Sequence, residues 1–183
     1  NKNKNMNKND QLLSFLQSKN LIPADKLPDI QNALKKENID LGSYLIKQNL
    51  IEEEKLTIAR AELSSLPYYS LLSEEVPEKI LKFLPEEIAK TYRIICFARV
   101  GKIIKVGLVE PDIRSMEAVN FLAADEKLQV EYYLISNSSY QKVFKQYQKL
   151  EEEISTALEV KAKEEGDDLI TMRADEDDAS EED

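Results

Sequence analysis

Apolar side chains recur at helical spacing from Leu12 onward, and the pattern then repeats itself. The segment LLSFLQSKNLIPADKL (12–27) aligns without gaps with LGSYLIKQNLIEEEKL (41–56), and eight of the sixteen positions are identical. Leu12, Phe15 and Leu16 share one helical face, and Leu41, Tyr44 and Leu45 reproduce it; Asn20 and Asn49 are the expected C-terminal breaks. Pro23 and the acids Glu52 to Glu54 suit the first turns of second helices, where a missing N–H costs least and carboxylates complement the helix dipole. Each copy therefore predicts a helix, a turn and a second helix. Leu66-Pro67 closes the second copy, because the residue before proline avoids helical geometry. Two short helices around residues 78–84 and 86–92 follow, opened by Pro77 and Pro85.

From Arg93 the period changes from helical to two. RIICFARV (93–100) and IIKVGLV (103–109) flank Gly101-Lys102, a two-residue loop suited to a type II′ hairpin. Alternation puts Ile94, Cys96 and Ala98 on one face and Ile95 and Phe97 on the other, both apolar, so the hairpin is expected to be covered by helices. Glu110-Pro111-Asp112 breaks the hairpin and offers Asp112 as a helix cap. The next helix carries an apolar stripe of Ala118, Phe121 and Leu122. LQVEYYLI (128–135) reads as a third strand, and SNSS (136–139) supplies caps for a last helix with Tyr140, Val143, Phe144 and Tyr147 at helical spacing. A crossover helix between the second and third strands implies a mixed sheet. The expected fold class is α+β: an N-terminal helical bundle of two helix-turn-helix repeats, then a small three-stranded mixed sheet packed with helices.

Residues 1–10 are polar and low in complexity and are expected to be disordered; 11–64 form the helical repeat subdomain, 65–150 the α+β subdomain and 151–183 an acidic tail or linker. The net charge of −10 is concentrated in that tail, which holds 15 acidic against three basic residues, while the first 150 residues carry 22 basic and 20 acidic ones. A nearly neutral folded part lacks the basic stripe that duplex binding requires, which argues against nucleic acid as a partner. The aromatic residues interleaved with lysines after residue 130 sit at core spacing rather than forming a stacking platform.

Histidine is absent, only one cysteine is present, and the four glycines form no phosphate-binding loop: Gly101-Lys102 is followed by Ile103. His-based nucleophilic triads, the commonest general base and the usual transition-metal ligands are thereby removed. No catalytic, cofactor-binding or metal-binding residue is assigned, and no cofactor is expected. Cys96 reads as a small core residue. A lone cysteine favours a reducing cytoplasm. No apolar run approaches the roughly 20 residues of a membrane span, so no direct membrane insertion is expected. Lys2, Lys4 and Lys8 precede an apolar run too short for a secretory signal. Lys19, Lys47 and Arg60 on the repeats read as ordinary solvated charges.

Several of these segments in order, LGSYLIKQNLIEEEKL (41–56), SSLPYYSL (64–71), VPEKILKFLPEEIAKTYRI (76–94) and GKIIKVGLVEPDIRSMEAVNFL (101–122), closed by the helix from residue 140 to 147, resemble the N-terminal domain of the ATPases that power type II secretion and type IV pilus assembly. The resemblance implies a docking and regulatory domain that couples a motor to cytoplasmic and inner-membrane proteins of the machinery. It also implies a cytoplasmic location peripheral to that machinery, and an ATPase core further along the same protein. Some relatives bind cyclic di-GMP through tandem motifs that open on Arg-Leu-Gly, carry a central glycine and end on Gln. Here Asp40 stands at the arginine position and Gln11-Leu12-Leu13 opens the first copy; Asn20 and Asn49 replace the glycine, and Leu34 and Leu63 the Gln. Those departures count against cyclic di-GMP, because an aspartate repels phosphate where an arginine would hold it. A second-messenger sensor and a self-standing adaptor without a motor are the alternative readings. The fragment itself is expected to be no enzyme.

Overall fold

A computed structural model describes the backbone of residues 2–36 and 38–178 and the side chains of residues 8–36 and 38–167. It divides into two compact units, residues 1–144 and 145–183.

The first unit opens with helix α1 (Lys2–Ser18), followed by a 3-10 turn (Ala24–Lys26) and α2 (Leu27–Lys36); α3 (Leu41–Lys47) and α4 (Glu53–Leu63) form the second copy. The repeat is one of backbone geometry as well as sequence. Asn20 and Asn49 both take left-handed φ, 54° and 55°. The Leu21 N–H donates to Leu16 O at 3.0 Å and the Leu50 N–H to Leu45 O at 2.9 Å, so the first helix of each copy ends in the same Schellman cap. Leu12, Leu16, Ile30, Leu41, Leu45, Ile51 and Leu56 then close one apolar core between the copies. Residues 2–10 belong to α1, contrary to the disorder that their composition predicts. Asn9 shows how that turn is held: its side-chain amide donates to Ile39 O at 3.0 Å and accepts from the Leu41 N–H at 3.2 Å, tying α1 to the start of α3.

After α4, Ser65 (φ 55°) and Pro67 carry the chain into an extended segment, and Tyr68 bridges Leu134 in parallel. Helices α5 (Glu78–Leu81) and α6 (Glu86–Tyr92) lead to strands β1 (Ile94–Val100) and β2 (Ile103–Leu108), then α7 (Ile113–Asp125), β3 (Gln129–Leu134) and α8 (Asn137–Asp178). The sheet order is β1-β2-β3, with β1 antiparallel and β3 parallel to β2, the mixed arrangement that the crossover implies. Gly101 turns the hairpin at φ 61°, a conformation glycine adopts without cost.

Three details differ from the sequence pattern. A bulge at Phe97 makes Cys96 pair with Val106 but Ala98 with Lys105, so Ala98 moves to the face opposite Ile94 and Cys96. Phe121 does not face the core: it is 72% exposed, and Ser115, Val119 and Ala123 are the buried positions of α7. Helix α5 is a single turn that stops at Leu81 rather than running to Leu84. The sheet's core face holds Ile94, Cys96, Ile104, Val106 and Leu108, with Leu84, Val119, Ala123 and Leu128 packed over it. Two apolar clusters, one within the helical repeat and one under the sheet, thus lie in the first compact unit.

In the second unit α8 continues as helix to Asp178, where a fraying tail is expected; residues 179–183 of that tail, like residue 1, lie outside the described residues. Among the described residues no helix is long and apolar enough to cross a membrane.

Candidate functional site

The carboxyl ends of β2 and β3, the first turn of α8 and the facing sides of α3 and α4 enclose a cleft of about 590 Å³ in the first unit. Its position follows from the topology: where parallel strands end beside a helix N-terminus, free backbone N–H groups converge. In this chain the Ser138 and Ser139 N–H groups are already taken. The Glu53 carboxylate accepts from the Ser138 N–H at 3.1 Å and from the Ser138 hydroxyl, placing a negative charge at the positive end of α8. Ser136 Oγ accepts from the Ser139 N–H at 3.1 Å, as the SNSS signal predicts.

The neighbouring Glu54 binds the same junction. Its Oε1 accepts from the Ser136 hydroxyl and from the Tyr68 hydroxyl, each at 3.0 Å. Its Oε2 is buried with no hydrogen-bond partner. Burial raises the Tyr68 phenol above its ordinary range, and the bond to the Glu54 carboxylate adds to the shift. Ser139 Oγ accepts from the Leu71 N–H at 3.0 Å, which extends the network to the segment after α4.

Cations on the cleft wall are engaged as well. Arg60 of α4 pairs with Glu110 at 2.5 Å, joining the repeat to the loop after β2. Its side chain is only 29% exposed, so it is not the freely solvated charge expected from sequence. Arg93, held at φ 53° at the end of α6, donates to Asn137 Oδ1. Lys47 lines the same wall. Lys19 lies elsewhere, 5.6 Å above the Phe15 ring and 3.7 Å from Glu62.

Asp40, at the position where an arginine would meet a dinucleotide, is the N-cap of α3. Its Oδ2 accepts from the Ser43 N–H at 3.0 Å and from the Ser43 hydroxyl at 2.9 Å. It therefore presents an anion to the cleft mouth. Leu34 packs against the core of the repeat and Leu63 is 41% exposed, so neither terminal position offers a polar group. Cys96 is buried, and burial pushes its thiol up to about 12, the signature of a packing residue rather than a nucleophile.

The arrangement is thus a polar seam that closes the repeat onto the sheet. Reasoning from sequence missed Glu53 and Glu54 as its principal residues. They sit in a first turn where acids are expected for dipole reasons alone, and their serine partners, Ser136 and Ser138, lie more than 80 positions away.

Residues 64–154 match the MshEN domain family model. The type IV pilus assembly ATPase PilB of Myxococcus xanthus (strain DK1622) is 28% identical over 109 residues, which cover 59% of this chain and 19% of that protein. The chain thus spans about a fifth of this curated relative. Among solved structures, that of MshE with cdg superposes at a TM-score of 0.61 with 24% identity, covering 74% of this chain and 97% of that one. The N-terminal domain of XpsE superposes at 0.53 with 16% identity, covering 74% and 92%.

Proposed function

We propose that this chain, an N-terminal domain of the type II secretion and type IV pilus assembly ATPase family that carries an MshEN domain, is a non-catalytic docking and regulatory module. In this reading it couples a downstream motor core to cytoplasmic and inner-membrane proteins of the assembly machinery, at a cytoplasmic site peripheral to the membrane. The observation that carries the proposal is the MshEN match over residues 64–154, joined to the PilB similarity across 109 residues. The seam supports it physically: groups that would otherwise receive a ligand are spent on holding the two halves of the first unit together.

The test is co-purification of the full-length protein with the cytoplasmic proteins of its own pilus or secretion system, compared with a version lacking residues 1–144. Retention that depends on those residues is expected; equal retention of both versions would refute docking through this domain.

Cyclic di-GMP sensing is the rival reading, and the structure of MshE with cdg is the observation in its favour. At 24% identity that likeness speaks to fold, while Asp40, Leu34 and Leu63 place an anion and two apolar groups where a phosphodiester needs cations and donors. Isothermal titration calorimetry with cyclic di-GMP should show no heat of binding at micromolar ligand. A micromolar or tighter dissociation constant would reverse the preference.

A further inference from the structure

Helices α1 to α4 reach the sheet through a single stretch of backbone, residues 64–66. On the sheet side the chain is pinned at once: the Leu134 N–H donates to Pro67 O at 2.8 Å and the Tyr69 N–H to Leu134 O at 3.0 Å. On the repeat side α4 ends at Leu63, and Ser65 holds a left-handed φ of 55°, which a residue with a Cβ adopts only at a cost. A body joined by one crossing at its end can turn as a unit without disturbing the rest of the chain, and element-terminal residues of this kind absorb such a turn.

The junction between repeat and sheet is not packed like either core. The apolar cluster of the repeat and the one under the sheet share no residue. Two clefts, of about 590 and 350 Å³, enter the junction, and Asp40, Arg60 and Glu110 line both. Three side chains of α4 bridge it: Arg60 pairs with Glu110, Glu53 accepts from Ser138, and Glu54 accepts from Tyr68 and Ser136. Closure leaves Glu54 Oε2 buried with no hydrogen-bond partner, a cost that hydration relieves when the junction opens. We propose that the helical repeat is a lid over the carboxyl ends of β2 and β3, turning as one body about residues 64–66, with Glu53, Glu54 and Arg60 as its catch. Opening uncovers Ser136, Asn137 and Ser138 at the start of α8 and leaves the hydrogen bonds inside the repeat and the sheet intact. The lid goes beyond the docking reading and stands if that reading fails, because it rests on contacts within the first unit alone.

Residue-resolved amide hydrogen exchange in the full chain tests this, with each substitution placed away from the reporting amide. The Ser138 N–H, which donates to Glu53, reports opening of the junction. The Leu50 N–H, bonded to Leu45 O, and the Leu128 N–H, bonded to Ala123 O at 2.8 Å, report the interiors of the repeat and of the sheet half. Glu110→Gln removes the charge that Arg60 meets and keeps the Glu53–Ser138 bonds. If the three side chains act as one catch, it should speed Ser138 exchange about two- to fivefold, the equilibrium factor of a partly exposed ion pair, and leave Leu50 and Leu128 at their parent rates. Tyr68→Phe, which takes a donor from Glu54, should speed Ser138 exchange by at least as much. High salt should accelerate Ser138 in the parent chain and add little in Glu110→Gln. An unchanged Ser138 rate in either variant would overturn the lid. Equal acceleration of all three amides would overturn it too, because the whole unit would then be loosening rather than one body turning.

Discussion

Replacing Glu53 by alanine removes the charge that caps α8 and tests whether the seam stabilises the fold. The carboxylate accepts two hydrogen bonds from Ser138, one from its backbone N–H at 3.1 Å and one from its hydroxyl. Hydrogen bonds to a charged group contribute about 1.5–3 kcal/mol each where dry, and an anion at a helix N-terminus adds about 0.3–1 kcal/mol. Glu53 is half-buried and faces an open cleft, so water replaces part of what is lost. The expected cost of Glu53→Ala is about 2 kcal/mol, and of Glu53→Gln, which keeps an acceptor without the charge, about 1 kcal/mol. Because Glu53 and Ser138 are in contact, the double substitution with Ser138→Ala should cost less than the sum of the single ones, by about 1 kcal/mol. Urea unfolding followed by circular dichroism measures the parent chain and all four variants. With slopes of about 1–3 kcal/mol per molar urea, Glu53→Ala should lower the midpoint by on the order of 1 M. A change within about 0.5 kcal/mol, or strict additivity of the two single substitutions, would refute the view that this carboxylate holds the repeat to α8.

Gly107→Ala should destabilise by about 1–3 kcal/mol in the same assay, because an added Cβ would sit 2.8 Å from Ile135 Cγ2 in the packed interior. Asn49→Gly should leave stability unchanged or raise it slightly, whereas Asn49→Ala should cost about 1 kcal/mol, since the left-handed φ of 55° penalises a Cβ that has no compensating side-chain amide. Cys96 should resist thiol reagents until the chain unfolds. The folded-state values of Cys96 and Tyr132 both rise to about 12, from ordinary values of 9.0 and 10.0, chiefly through burial. Their contribution to stability is therefore complete below about pH 9 and is lost as pH climbs toward 12, which a pH series of thermal melts measures.

The helical repeat was legible because its determinants are local: apolar spacing fixes the buried face, and an asparagine at each helix end accepts the left-handed turn. The strands and the mixed sheet were legible for the same reason, through period-two runs, a Gly-Lys turn and a helix long enough to cross over. Where a rule was ambiguous the structure chose against it. Phe121 fits a helical stripe as well as Val119 does, yet the sheet meets only the Val119 side and leaves Phe121 in solvent. The low-complexity start of the chain reads as disorder until Asn9 finds Ile39 and Leu41, backbone partners 30 or more positions away.

The sequence by itself determined the order and type of the elements and the duplicated helical hairpin, because periodicity and caps are properties of neighbouring positions. Tertiary structure alone decided that Glu53, Glu54 and Arg60, unremarkable helix charges in the linear chain, join the repeat to the sheet and to α8. Hydrogen bonds and ion pairs form between atoms a few ångströms apart, and these atoms become neighbours only after the chain has closed loops of 50 to 85 residues.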